Sequence, residues 1–404
     1  MVIGGPRSIT YRGLPLHLSE RIYGLDALRG FAALSVLIWH WQHFFFVGGV
    51  PSAVPMTNQP FYPILFAFYH FGYYGVEMFF CLSGFVFFWL FSTKITKRAI
   101  NLSQFAVDRF SRLYPLHFVT FLMVAGLQYF YISNHRVLFV YQANDVYHAV
   151  LNLLLMPAWF PEPGWSFNGP IWSVSIEVLM YALFAAACLT GRLKYVIFAG
   201  FIIVGFLLPG EWHKVAKGLK LFFVGGFAYL ALSALLRLMS AHRTAGLLCG
   251  LCLGAWSWII IYGAGVLFVT CITFPLTVMA LAALNAVWPD RFRSLKWLGD
   301  SSYAIYLLHV PFQITLAMIA DGLGYTREIF QSRAIFLLFF SVLVAASLLC
   351  HHYFETWAKN GIRMRYAKAV AAKLRIADRD HFKRHIEDVR PVTATSTNGA
   401  VRVD

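Results

Sequence analysis
Ten apolar runs punctuate the chain, at roughly 24–46, 66–91, 113–133, 171–189, 194–208, 219–237, 244–262, 264–286, 303–320 and 334–354. A helix needs about 20 mostly apolar residues to cross the ~30 Å hydrocarbon core of a bilayer. All ten approach that length except 194–208, which is short. A further stretch, 149–156, is too short to span, is cut by Pro157, and reads as interfacial or re-entrant. The pattern predicts an all-α, polytopic membrane bundle of about ten transmembrane helices over 1–354, and a basic tail over 355–404. Ala367–Arg390 has helical character and mixed charge, and 391–404 reads as disordered. The first 21 residues are polar and mixed, and the run after them is too long for the apolar region of a signal peptide, so it reads as a retained first span. There is no internal repeat.

Composition agrees with this pattern and charge orients it. Of 404 residues, 59% are hydrophobic and 13% charged, against about 25% charged in a soluble domain. The +15 formal charge would suggest nucleic acid as a partner of a soluble chain. With the N-terminus placed in the cytoplasm, the five inner segments before the tail hold fifteen Lys and Arg and the five outer loops hold six. The tail adds eleven on the inside. The positive-inside rule therefore puts both termini in the cytoplasm, and the excess charge needs no nucleic acid. Cys249 and Cys252 form a C-x-x-C without a second ligand pair, so no metal site is expected.

Few charges remain inside the apolar runs, where ionisable groups are costly and mark function. Asp26 and Arg29 lie in the first run and can pair at i, i+3. His40 follows Arg29 by 11 residues, close to three turns, so the two share a face about 16 Å apart along the axis. Glu77 lies in GVEMFFCLSGF, and Glu177 six residues into a span that opens at Ile171, at a depth comparable with His40. A His40–Glu177 contact is geometrically allowed. Arg109 and Arg112 end a basic loop suited to phosphate. Tyr303, Tyr306 and His309 share one side of the ninth run, at its cytoplasmic end, where an aromatic belt explains the tyrosines equally well.

These segments together resemble the membrane-bound acyltransferase-3 family of O-acyltransferases. The Leu25–His40 segment with its R-x10-H spacing, GVEMFFCLSGF at 75–85, RFSRLYP at 109–115, WSVSIE at 172–177 and YAIYLLH at 303–309 run in the family's order, with a late match at Tyr353-Phe354-Glu355. Glu77 stands where the family commonly has Asp, and the Pro usual after the late Glu is absent.

The resemblance implies transfer of an acyl group, acetyl above all, from cytoplasmic acyl-CoA to a hydroxyl of a saccharide or other acceptor. Exopolysaccharide, lipopolysaccharide, a lipo-oligosaccharide and a macrolide all fit. Its expected setting is the bacterial inner membrane, and its expected partners are acyl-CoA, a saccharide or lipid-linked glycan acceptor and the bilayer. No permanently bound cofactor and no metal is expected. His40 is expected as general base, Glu177 as the group that orients it, and Glu77 as a third catalytic carboxylate. Asp26, Arg29, Arg109, Arg112, Trp172, Ser173, Tyr303, Tyr306 and His309 are expected to bind donor or acceptor. An acyl-enzyme with Ser173, Tyr306 or His40 as carrier is the alternative chemistry. The rival class is a transporter or flippase of a lipid-linked glycan.

Overall fold
The computed structural model describes residues 21–388, apart from residues 52, 53 and 163 and the side chains of 47 and 373–388. Arg7, Arg12 and the 391–404 segment lie outside the described residues. The helices are α1 (Tyr23–His40), α2 (Tyr62–Phe71), α3 (Tyr74–Phe87), α4 (Thr93–Thr96), α5 (Leu102–His135), α6 (Val146–Leu153), α7 (Ile171–Cys188) and α8 (Lys194–Leu207). They continue with α9 (His213–Leu238), α10 (Ala241–Tyr262), α11 (Val266–Phe268), α12 (Phe274–Val287), α13 (Lys296–Gly322), α14 (Arg333–Leu349) and α15 (Thr356–Asp388). Among the described residues the one strand pairing is β1 (Phe46–Val47) against β2 (Val50–Pro51), antiparallel. The protein is an all-α polytopic membrane bundle.

Every predicted run is helical, but the boundaries differ. Among the described residues, eight helical stretches are long and apolar enough to cross a bilayer. The other two runs are α1, whose Asp26 and Arg29 dilute its hydropathy, and α8, whose 14 residues reach only about 21 Å. The 66–91 run is not one helix. It breaks between α2 and α3 at Gly72, where the chain turns against α1 so tightly that a Cβ would lie 2.3 Å from the Ser35 carbonyl oxygen. The 209–220 segment is not a loop. A 3-10 turn at Gly210–Trp212 leads straight into α9, which carries Lys214, Lys217 and Lys220 within the helix. Nor does the last span stop at 354. A π-helical segment, Cys350–Glu355, joins α14 to α15 without a break, and an Arg363–Asp108 ion pair at 2.7 Å ties α15 to α5. The 149–156 stretch holds the short helix α6, capped by Asp145, whose side chain accepts from the His148 backbone N–H.

Helices that carry the polar residues pack closest, and glycine permits it. At the crossing of α3 and α9, a Cβ on Gly84 would lie 1.7 Å from the Phe222 carbonyl oxygen, and one on Gly225 would lie 1.9 Å from that of Cys81. Small residues that let backbones touch are a principal means of helix association in lipid, where burial of apolar surface supplies little drive. The pair α1 and α13 is built alike: Cβ atoms at Gly30 and Gly299 would lie 2.5 Å from the Leu298 and Asp26 Cβ atoms. Around these pairs stand α5 and α7, while α8, α10, α12 and α14 lie outside. At 34 residues, or about 51 Å, α5 outlasts the hydrocarbon, and its first turns carry Arg109 and Arg112.

Replacing Gly84 with Val is expected to force α3 and α9 apart, since neither facing group is a flexible side-chain end. The cost should be at least the 1–3 kcal/mol typical of an overpacked core. Size-exclusion profiles of detergent-solubilised protein should show loss of the monodisperse peak. The same substitution at Gly246, with open space around its Cβ position, should leave the peak intact.

Candidate active site
The packing of α1 on α13 brings His40, the last residue of α1, against His309, thirteen residues into α13. His40 Nδ1 lies 2.9 Å from His309 Nε2, and the rings stack at 4.9 Å. His43, in the 3-10 turn after α1, also stacks on His40, at 4.5 Å. Gln313, one turn beyond His309, donates to the His40 carbonyl at 2.8 Å and locks the end of α1.

Pro311 lies inside α13 and has no N–H to give to the carbonyl of Leu307 four residues back. Asn168 supplies the missing donor: its Nδ2 reaches the Leu307 carbonyl at 2.9 Å. That bond pins the 136–170 connection onto α13 beside the histidine pair. The same connection sets Tyr141 under Gly169, where a Cβ would lie 2.5 Å from the tyrosine ring.

Three cavities follow one another through the bundle. The first, about 290 Å3, is lined by Arg21, Asp26, Arg29, Arg112, Asp300, Tyr303, Glu355 and Lys359 among others. The second, about 100 Å3, shares Arg29, Arg112 and Tyr303 with the first and adds Arg109, Ser83, Ser173, Glu177, Tyr181 and Tyr306. The third, about 500 Å3, shares Tyr306 with the second and holds His40, His43, Glu77 and Lys217 among aromatic rings. The partition between the second and third is a polar knot. Ser173 Oγ and Tyr306 OH lie 2.9 Å apart, and both donate to the Pro170 carbonyl at 3.1 Å.

The candidate residues line these cavities except His309, which is buried against His40. Asp26 pairs with Arg21 and, at 3.2 Å, with Arg29 at the first cavity. Arg109 stands over the rings of Phe87 and Phe91 at 5.5 and 5.0 Å. Tyr303 donates to the Leu113 carbonyl at 2.6 Å, tying α13 to α5. Trp172 lines the third cavity. Two expectations require correction. Glu177 does not touch His40: its Oε1 accepts from Ser83 Oγ and Tyr181 OH, each at 2.5 Å, and it faces the arginines of the second cavity. The partner of His40 is His309. His309 itself is not at a helix end, because α13 begins at Lys296 and carries it about 20 Å inward.

Sequence reasoning passed over Lys217. Counted as a loop charge, it is a helical residue whose Nζ meets Glu77 Oε1 at 2.7 Å. The signal was its spacing before the apolar run at 219, which continues the same helix. Also passed over were His43, three residues beyond His40, and Lys359 in the tail. Among the described residues, no three His, Cys, Asp or Glu side chains are grouped to hold a metal ion.

A family model described as an acyltransferase domain matches residues 22–352. The chain is similar to acyltransferase MdmB of Streptomyces mycarofaciens, 34% identical over 169 residues, which is 41% of this chain and 38% of that protein. It therefore spans well under half the length of that relative. It is also similar to the exopolysaccharide production protein ExoZ of Rhizobium meliloti (strain 1021), 28% identical over 303 residues, covering 64% of this chain and 82% of that protein. Protein 2 in the picA locus of Rhizobium radiobacter is 29% identical over 181 residues, covering 41% of this chain and 82% of its own length. No solved structure matches.

The Glu77–Lys217 pair is asymmetric, with side chains 4% and 36% exposed. Removing the cation strands a buried carboxylate, whereas removing the carboxylate leaves a lysine that reaches the cavity. Lys217→Met is therefore expected to destabilise by on the order of 2 kcal/mol, less than a fully buried pair would lose. Adding Glu77→Gln to it should recover part of the loss. Thermal unfolding of the two single variants and the double variant in detergent measures this coupling, and strictly additive effects would contradict it.

Proposed function
We propose that this chain, which belongs to the acyltransferase-3 family of membrane acyltransferases, moves an acetyl or similar acyl group from acyl-CoA to a hydroxyl of a saccharide presented at the membrane. The observation that carries this reading is the line of cavities leading from a guanidinium cluster to a paired histidine. Acyl-CoA has phosphates at one end and a thioester at the end of a thin arm. Arg29, Arg109 and Arg112 suit the phosphates. His40 suits the thioester end, about 16 Å from Arg29 along α1. On the orientation favoured by the basic segments, the arginine end faces the cytoplasm, where acyl-CoA is made. ExoZ is named for exopolysaccharide production, which supports a saccharide acceptor. So does the third cavity, walled by Trp39, Tyr73, Tyr141, Trp165 and Trp172 with a few polar groups between them. Against transport of a glycan stands the second cavity, whose 100 Å3 would hold a few waters but no sugar ring.

His40 is the general base in this reaction. Its Nδ1 is engaged with His309, which leaves Nε2 for substrate. With the proton on Nδ1 donated to His309 Nε2, the lone pair on Nε2 takes the acceptor hydroxyl proton. The acceptor oxygen attacks the thioester carbonyl, the new C–O bond forms, and the C–S bond breaks. The thiolate of CoA leaves and takes the proton back from the imidazolium. His309 positions His40 and fixes its tautomer. The Glu77–Lys217 pair, in the same cavity, presents the acceptor with both a carboxylate and an ammonium.

Membranes containing His40→Ala protein are expected to lose at least a hundredfold of the transfer of label from acetyl-CoA to cell-surface glycan. Wild-type transfer by correctly inserted His40→Ala protein would refute the assignment. His309→Asn should lower kcat by about tenfold or more and change the pH profile of kcat while leaving the donor KM near its original value. Arg112→Ala should do the reverse, raising donor KM with little change in kcat. Steady-state kinetics on purified protein distinguish the two.

A further inference from the structure
The first cavity is lined by four Arg and Lys side chains against three carboxylates. Asp26 is taken by Arg21 and Arg29. Asp300 is taken by Arg21 at 2.5 Å and Lys296 at 3.9 Å, and Glu355 meets His351 at 2.8 Å through Oε2, its Oε1 having no hydrogen-bond partner. Arg112 and Lys359 line the same cavity, and among the described residues neither has an ion-pair partner. Like charges that converge on a half-enclosed space favour an anion there. Lys359 comes from α15, and its place is built: the π-helical segment at Cys350–Glu355 sets the direction of the helix, and the 2.7 Å Arg363–Asp108 pair holds it one turn further on.

We propose that Lys359 of the C-terminal helix, together with Arg29 and Arg112, forms a phosphate site for the nucleotide end of the acyl-CoA donor. This rests on the acyl-CoA reading above and extends it to a segment outside the matched domain, which ends at residue 352. The location fits the donor. This cavity is the farthest of the three from His40, and the phosphates of acyl-CoA lie at the opposite end from its thioester. The C-terminal helix is then part of the enzyme's donor site.

The test compares two donors, acetyl-CoA and S-acetyl-pantetheine, which keeps the thioester and arm but lacks the phosphorylated nucleotide. Lys359→Gln is expected to raise the KM for acetyl-CoA about tenfold, as loss of one charge-assisted hydrogen bond would. Transfer from S-acetyl-pantetheine should be unchanged, which also shows that the variant is folded. Lys359→Arg should retain most of the affinity for acetyl-CoA. Equal losses with both donors, or none with either, overturn the proposal while leaving the acyltransferase reading in place. Wild-type protein that uses neither donor overturns both. The same measurements in nanodiscs of phosphatidylcholine and of phosphatidylglycerol separate donor phosphate from lipid phosphate. An effect of Lys359→Gln confined to phosphatidylglycerol assigns the cluster to a headgroup and overturns the proposal.

Discussion
A charged or strongly polar side chain within hydrocarbon depth must be surrounded by protein or water, and this constraint organises the molecule. Its consequence is visible in where the cavities lie. Asp26, Arg29, His40, Glu77 and Glu177 are spread over three helices, yet every one of them faces a single line of cavities. On α10 and α14 the charged residues, Arg243 and Arg333, lie in the first turn. The bundle is arranged so that lipid meets apolar side chains and the polar groups meet one another.

Close packing is what makes that arrangement possible. The glycines at 30, 84, 225 and 299 bring α1 onto α13 and α3 onto α9 until backbone touches backbone or Cβ. A slide of either pair by one turn, about 5.4 Å, would separate His40 from His309 or Glu77 from Lys217. The Glu77–Lys217 ion pair and the buried imidazole pair therefore depend on residues that carry no chemistry. The converse also holds. Stranding a charge costs more than the pair returns, so the polar contacts penalise other registers of the same helices.

Much of this was legible in the sequence because helical periodicity is local. Asp26, Arg29 and His40 could be placed on one face of α1 by counting, and the ordered motifs identified the remaining candidates. What the sequence did not carry was pairing between helices. Glu177 and His40 share a comparable depth, but depth leaves azimuth undetermined, and α7 turns Glu177 toward Ser83 and the arginines instead. Lys217 was hidden by a boundary error: a hydropathy window begins α9 at the first sustained apolar residue, whereas the backbone begins it at His213. His309 was set too near the membrane surface for the same reason, since the polar first two turns of α13 resemble a loop. The reach of α15 depends on an ion pair, Arg363 with Asp108, between residues 255 positions apart.

The partition at Ser173 and Tyr306 gives the proposed reaction its remaining requirement. Arginines and histidines lie in different cavities, and the Ser173–Tyr306–Pro170 knot stands between them. A donor held by its phosphates at one end must pass its thioester beyond this knot to reach His40. Both hydroxyls accept as well as donate, so the Pro170 carbonyl can lose them to a carbonyl of the incoming arm without leaving either hydroxyl unpaired. The Pro170 carbonyl keeps the Ser173 backbone N–H at 3.2 Å, so the two hydroxyls change partner without stranding a backbone acceptor. An exchange of that kind costs little beside the charge-assisted bonds available to the donor's phosphates. Binding at the arginine end can therefore drive opening at the histidine end.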